Sequence, residues 1–83
     1  MPTISRESGW RLFFYSNEGD EQVHVHARKG DMECKFQLKK EDSNIREVWS
    51  NGLTIQARRE VRKIILKNFE KIINSWDDYF NYL

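Results

Sequence analysis

At 83 residues the chain has room for one modest hydrophobic core and reads as a single domain over residues 1–83. Against 14 basic side chains stand 13 acidic ones, and a net charge of +1 supplies no global attraction to nucleic acid or anionic lipid. The one cysteine, Cys34, excludes an internal disulfide, and no apolar run nears the ~20 residues that a membrane span needs.

The opening Met1-Pro2-Thr3-Ile4-Ser5-Arg6 lacks the basic start and apolar block of a secretory signal. With a cysteine suited to a reducing compartment, this predicts a soluble cytoplasmic protein without membrane association. Aromatic residues are plentiful enough to argue for a folded chain rather than a disordered one. A core of this size leaves only a few kcal/mol of net stability, on the order of the low end for globular domains, so a partner chain is a natural source of more.

Trp10 to Tyr15 reads as the first strand, with Trp10, Leu12 and Phe14 on one face and Arg11, Phe13 and Tyr15 on the other. The polar, acidic stretch Ser16 to Gln22 is a loop. Val23–Arg28 and Glu33–Leu38 are predicted strands joined at Gly30-Asp31, where glycine reaches positive φ without steric cost. That turn sets Ala27 opposite Cys34, Val25 opposite Phe36 and Val23 opposite Leu38, six apolar residues on one face, and a turn at Lys29-Gly30 instead slips the pairing by two residues and keeps the faces. On the other face Arg28 meets Glu33, His26 meets Lys35 and His24 meets Gln37. Lys39 to Asn44 is turn-like, and Ile45–Trp49 is a short fourth strand before the turn Ser50-Asn51-Gly52.

From Thr54, a predicted N-cap, the period becomes helical. Val61, Ile65, Phe69, Ile72, Trp76, Phe80 and Leu83 step by three or four residues and form one apolar stripe. Asn68 interrupts the run, which reads as one long helix or as two, Thr54–Lys67 and Phe69–Tyr82. The expected fold class is α+β: a three- or four-stranded antiparallel meander followed by one long or two short C-terminal helices packed on one face.

The residues with chemical potential are few. His24 and His26, the only histidines, alternate with Val25 and so share a strand face, roughly 7 Å apart at Cβ by strand rise. Three uses are open to them. As half-exposed residues they form part of an interface with Phe13, Tyr15 and Lys35, an aromatic, histidine-bearing face without an obvious covering helix. As acid–base groups they attack a phosphodiester, with Arg28 and Lys35 as candidate catalytic partners and Arg11 and Tyr15 nearby. As metal ligands they need further donors, for which Glu33, Asp31, Asp20 and Glu21 are the candidates. No cofactor-binding motif is present; the glycines are scattered turn formers.

Arg59, Lys63, Lys67 and Lys71 step by four and present a basic flank, a candidate nucleic-acid surface. Glu60 and Glu70 interrupt it and overall charge is flat, so a solvated helix face is the expectation. Core packing is expected for Trp76 and Phe80, while Tyr82 and Leu83 overhang towards a second chain.

Several blocks resemble a known family. They are Pro2-Thr3-Ile4-Ser5, Gly9, Phe13-Phe14-Tyr15-Ser16-Asn17-Glu18-Gly19, His24-Val25-His26, Arg28-Lys29-Gly30-Asp31, Glu33-Cys34-Lys35-Phe36, Asn51-Gly52-Leu53-Thr54 and Trp76-Asp77-Asp78-Tyr79-Phe80. In this order they resemble the short bacterial and archaeal proteins of domain-of-unknown-function family 4160, nearly end to end. Two features depart from that pattern. Gln22-Val23 stands where prolines are usual before the first histidine, and Thr54 with Ala57 replaces a Ser cap with Glu three residues on. The resemblance brings no established activity. It implies a gene neighbourhood with another small protein, the basis of toxin–antitoxin proposals. The leading functional expectation is therefore a non-enzymatic interaction module of a toxin–antitoxin-like two-gene system. Its partner would be a small cognate protein or a second copy of itself. A small toxin ribonuclease using the His24/His26 face is the alternative, and a metal-binding domain the second alternative.

Overall fold

The computed structural model describes residues 3–80. In chain order these form β1 (Thr3–Glu7), β2 (Trp10–Phe13), β3 (His24–Lys29), β4 (Met32–Lys39), β5 (Asn44–Asn51), α1 (Ile55–Lys67) and α2 (Phe69–Phe80), with one 3₁₀ turn at Lys40–Asp42. The strands make one antiparallel sheet whose spatial order is the chain order, β1-β2-β3-β4-β5. The chain thus adopts the expected α+β meander followed by two helices, with five strands where three or four were expected.

The additional strand is β1. It turns into β2 at Ser8-Gly9, where both residues take positive φ (53° and 84°), as a type I′ hairpin requires. Ser-Gly is a turn signal, but Ile4 is the sole large apolar residue of β1, so no alternation marks it as a strand. The β3–β4 hairpin closes at Gly30-Asp31 in the expected register, with His24 opposite Gln37, His26 opposite Lys35 and Ala27 opposite Cys34. Only Gly30 (φ 59°) has positive φ in this turn, which suits type II′ geometry. β2 stops at Phe13, two residues short of the expected strand, and β5 extends to Asn44–Asn51.

Strand alternation sends Trp10, Leu12, Val25, Ala27, Cys34, Phe36, Leu38 and Ile45 to one face, where they meet Val61, Ile64, Ile65, Phe69, Ile72 and Ile73. Both helices therefore cover that face, and the cluster is almost wholly apolar. Its polar edges are paired: Trp10 Nε1 donates to Glu60 Oε1 at 2.7 Å, and Arg58 Nε to Glu47 Oε1 at 2.9 Å. Thr54 caps α1, its hydroxyl accepting from Ala57 N–H at 3.0 Å. Asn68 ends α1 and begins α2; its amide donates to Ile64 O at 2.8 Å, and Ile72 N–H donates to its carbonyl at 2.9 Å. The two-helix reading, broken at Asn68, is the observed one.

No helix among the described residues is long and apolar enough to cross a membrane. Tyr82 and Leu83, expected to overhang, lie outside the described residues, as do Met1 and Pro2.

Candidate functional site

The opposite face of the sheet carries His24, His26, Lys35, Gln37 and Trp49, and among the described residues a loop rather than a helix covers its centre. After β2 the chain reverses in a tight turn. Glu18 N–H donates to the Tyr15 carbonyl (3.3 Å), and the Tyr15 N–H donates back to Glu18 Oε1 (3.0 Å). This reciprocal pairing fixes the carboxylate of Glu18, whose side chain is 13 % exposed, directly over the histidines. The loop is anchored at its other end by Lys35 Nζ, which donates to Glu21 Oε1 at 3.0 Å.

Aromatic packing seals the flank. Phe14 leaves the strand and packs against Trp76, Tyr79 and Phe80 of α2, and Trp76 lies 4.9 Å from His24, ring centroid to centroid. Gly19 lies so close to Phe80 that a Cβ would collide with the ring, so this position of the loop has space for glycine alone. Phe13 stacks on His26 at 5.4 Å, and Tyr15 meets the same ring edge-on at 4.8 Å.

His24 and His26 are consequently 2 % and 4 % exposed and Phe13 is 1 % exposed. This corrects the expectation of half-exposed imidazoles on an open face, and it withdraws Phe13, His24 and His26 from any docking surface in this conformation. Tyr15 and Lys35 keep partial exposure. The physical reason is the loop: a polar, aperiodic segment carries the cover, and Glu18 satisfies polar groups that would otherwise be buried without partners.

Nitrogen by nitrogen, the cluster is incompletely satisfied. His24 Nδ1 lies 2.9 Å from the Gln22 carbonyl, so it is the protonated, donating nitrogen. His24 Nε2 then faces Glu18 Oε1 at 2.8 Å, but in an alignment that makes no hydrogen bond. His26 Nε2 sits 3.2 Å from both Glu18 oxygens, while its Nδ1 is buried without a partner. Burial pushes the His26 imidazole below its ordinary pKa, and the Glu18 carboxylate, pulling upward, does not restore it. For Glu18, partial burial works upward, yet His24, the Tyr15 N–H and His26 outweigh it and hold the carboxyl below the usual range.

Of the other candidates, Arg28 is on the same strand face but at the far end of β3, exposed and 3.9 Å from Glu33. Asp20, Asp31, Glu21 and Glu33, expected as possible donors beside the histidines, are not the carboxylates that converge on the pair. Glu21 comes within 3.8 Å of His24 Nδ1 only at the periphery. The converging carboxylate is Glu18, which no periodicity marks; its one sequence signal is its place in Phe13-Phe14-Tyr15-Ser16-Asn17-Glu18-Gly19. On the helices Arg59, Lys63, Lys67 and Lys71 are all exposed, and Lys67 is paired to Glu7 Oε2 at 3.0 Å.

Of two small grooves, the first borders the cluster and the second lies beyond it, beside Phe14 and α2. One, of about 170 Å³, is lined by Glu21, Gln22, His24, Lys35, Gln37 and Val48. The other, of about 320 Å³, is lined by Thr3, Ile4, Phe14, Ser75, Asp78 and Tyr79. The first is smaller than the few hundred Å³ common for small-molecule sites.

A five-stranded meander, two helices on one face and a loop-sealed histidine–carboxylate cluster on the other define a small α+β domain with a buried polar centre. The chain belongs to the family described as domain of unknown function DUF4160, whose model matches residues 9–77. Comparison with curated proteins and with solved structures found no match.

Proposed function

We propose that the chain is a non-enzymatic protein-interaction module of a toxin–antitoxin-like two-gene system, binding the small protein encoded beside it. The observation that carries this reading is Trp49, 40 % exposed on the sheet face opposite the helix-backed core. Val48, 41 % exposed, stands beside it at the bulge in the β4–β5 pairing. Half-exposed tryptophan next to an apolar neighbour and a polar rim (Lys35, Gln37, Arg46) is the composition of an interface centre. The sealed histidines also favour binding over catalysis, because a substrate would reach them only after the Ser16–Gln22 loop lifted. The test is co-purification of the chain with the neighbouring gene product, repeated with Trp49→Ala. Capture by wild type and its loss in the variant, with the circular dichroism spectrum kept, supports the reading. No capture by wild type, or equal capture by the variant, removes it, and a dimeric mass for the isolated chain assigns the surface to a second copy.

The ribonuclease reading retains one observation in its favour, the convergence of two imidazoles with Lys35 in the adjacent pairing position. It requires growth arrest on inducing the wild-type chain without its neighbour, abolished by His24→Ala/His26→Ala. Unimpaired growth with both proteins discards it.

A further inference from the structure

We propose that Glu18, His24 and His26 form a binding site for one divalent transition-metal ion of the zinc type, which fastens the Ser16–Gln22 loop to the sheet. One ligand atom from each residue can be chosen so that all lie within 4.8 Å of one another, and both imidazoles are buried. Two imidazoles and a carboxylate are a donor set that such ions take.

The protonation pattern supplies an independent reason. His24 Nδ1 donates to the Gln22 carbonyl, the outer hydrogen bond that typically orients a metal-binding imidazole and leaves Nε2 as the ligand. With the ring neutral, that Nε2 would present a lone pair to Glu18 Oε1 across 2.8 Å. Two lone pairs facing each other at that separation, in a buried setting, repel unless a cation lies between or beside them. A proton on Nε2 would answer the conflict; a metal ion answers it as well and engages His26 too. His26 Nδ1 is buried without a partner, so moving the ring proton there from Nε2 breaks no Nδ1 hydrogen bond and frees Nε2 to coordinate. Bonds of about 2.0–2.2 Å to one ion place tetrahedral ligand atoms roughly 3.3 Å apart. The Glu18–His24 and Glu18–His26 separations of 2.8 and 3.2 Å are already in that neighbourhood, and the widest pair must close by side-chain rotation.

The chain simplifies the test, because it has only two histidines and its one cysteine is buried in the core on the opposite sheet face. The full chain, carrying no histidine tag and stripped with EDTA, is titrated with Zn²⁺ against a chromophoric chelator, and melting is followed with and without the ion. One equivalent bound, with a melting temperature that rises on zinc and falls again on EDTA, is the expected result. Glu18→Gln is expected to weaken binding by more than ~10-fold. In ¹⁵N spectra of the wild-type rings, zinc is expected to shift both Nε2 signals, a reading that does not require the variant to fold. Absence of stoichiometric zinc binding by the folded wild type leaves the proton as the occupant and overturns the proposal. Undiminished binding by folded Glu18→Gln, or ring signals unmoved by zinc, overturns it equally. Capture of the neighbouring protein is scored separately, so the interaction reading stands or falls independently.

Discussion

The two faces of this sheet are buried by opposite means. On one, α1 and α2 lay down an apolar stripe, and nearly every buried side-chain atom is carbon. On the other, a loop of polar residues closes over two imidazoles, and the burial is secured by one carboxylate, a Lys35–Glu21 pair and a glycine pressed against Phe80. The first arrangement is tolerant, since dispersion and water exclusion spread over many contacts. The second is specific, since each polar atom has few alternatives and an unmet one is costly. Stability should therefore reside in the helix-backed face and conformational switching in the loop-backed one.

The sharpest trial of that contrast is Phe36→Ala in the helix-backed core. Truncating a fully buried aromatic there should cost about 3–5 kcal/mol in denaturant unfolding. A loss below about 1 kcal/mol would mean the helices do not dominate. Next in size, Gly19→Val places a branched side chain where the Phe80 ring lies. We expect a loss of about 1–3 kcal/mol. Hydrogen exchange should speed at residues 16–22 while the β3–β4 amides stay protected; uniform acceleration would show that the two faces unfold as one. Thr54→Ala removes the α1 cap and should cost about 1 kcal/mol without altering exchange in the loop.

The last prediction, silent at neutral pH because no stability has yet been lost there, concerns Cys34. Burial first, then the nearby Glu47, pushes its thiol up to about 12 from an ordinary 9.0. Because the folded pKa is the higher one, this contribution to stability is complete below pH 9 and is lost as pH rises from 9 towards 12. The native thiol should resist iodoacetamide at pH 8 and react only on unfolding. Rapid labelling of folded protein would mean that the helix-backed face is not dry.

The same contrast explains what could be read from the sequence. Val25, Ala27, Cys34 and Phe36 mark the hairpin's apolar face, and a two-residue slip of the turn to Lys29-Gly30 would keep that face, so the faces were more legible than the exact partners that Gly30-Asp31 sets. Thr54, Asn68 and the stripe from Val61 to Trp76 likewise carried the helices. The loop-backed face had no such period. Glu18 meets His26 through a backbone reversal eight residues away, and nothing local announces that Phe14 leaves its strand to join α2. β1 was hidden for a different reason: its partner strand, rather than its own composition, makes it a strand.

The meander also dictates an order of assembly. Every strand pairs only with its neighbour in the chain, so the whole sheet can zip up from local contacts as it leaves the ribosome. The helices arrive last: the bond from Trp10 to Glu60 spans 50 positions, and that from Lys67 to Glu7 spans 60. Until α1 emerges, the nascent sheet must hold Trp10, Leu12, Val25, Phe36 and Leu38 open to water. Any intermediate in which the sheet has formed before the helices dock therefore displays a sticky apolar face, and the docking of α1 and α2 is the step that removes it.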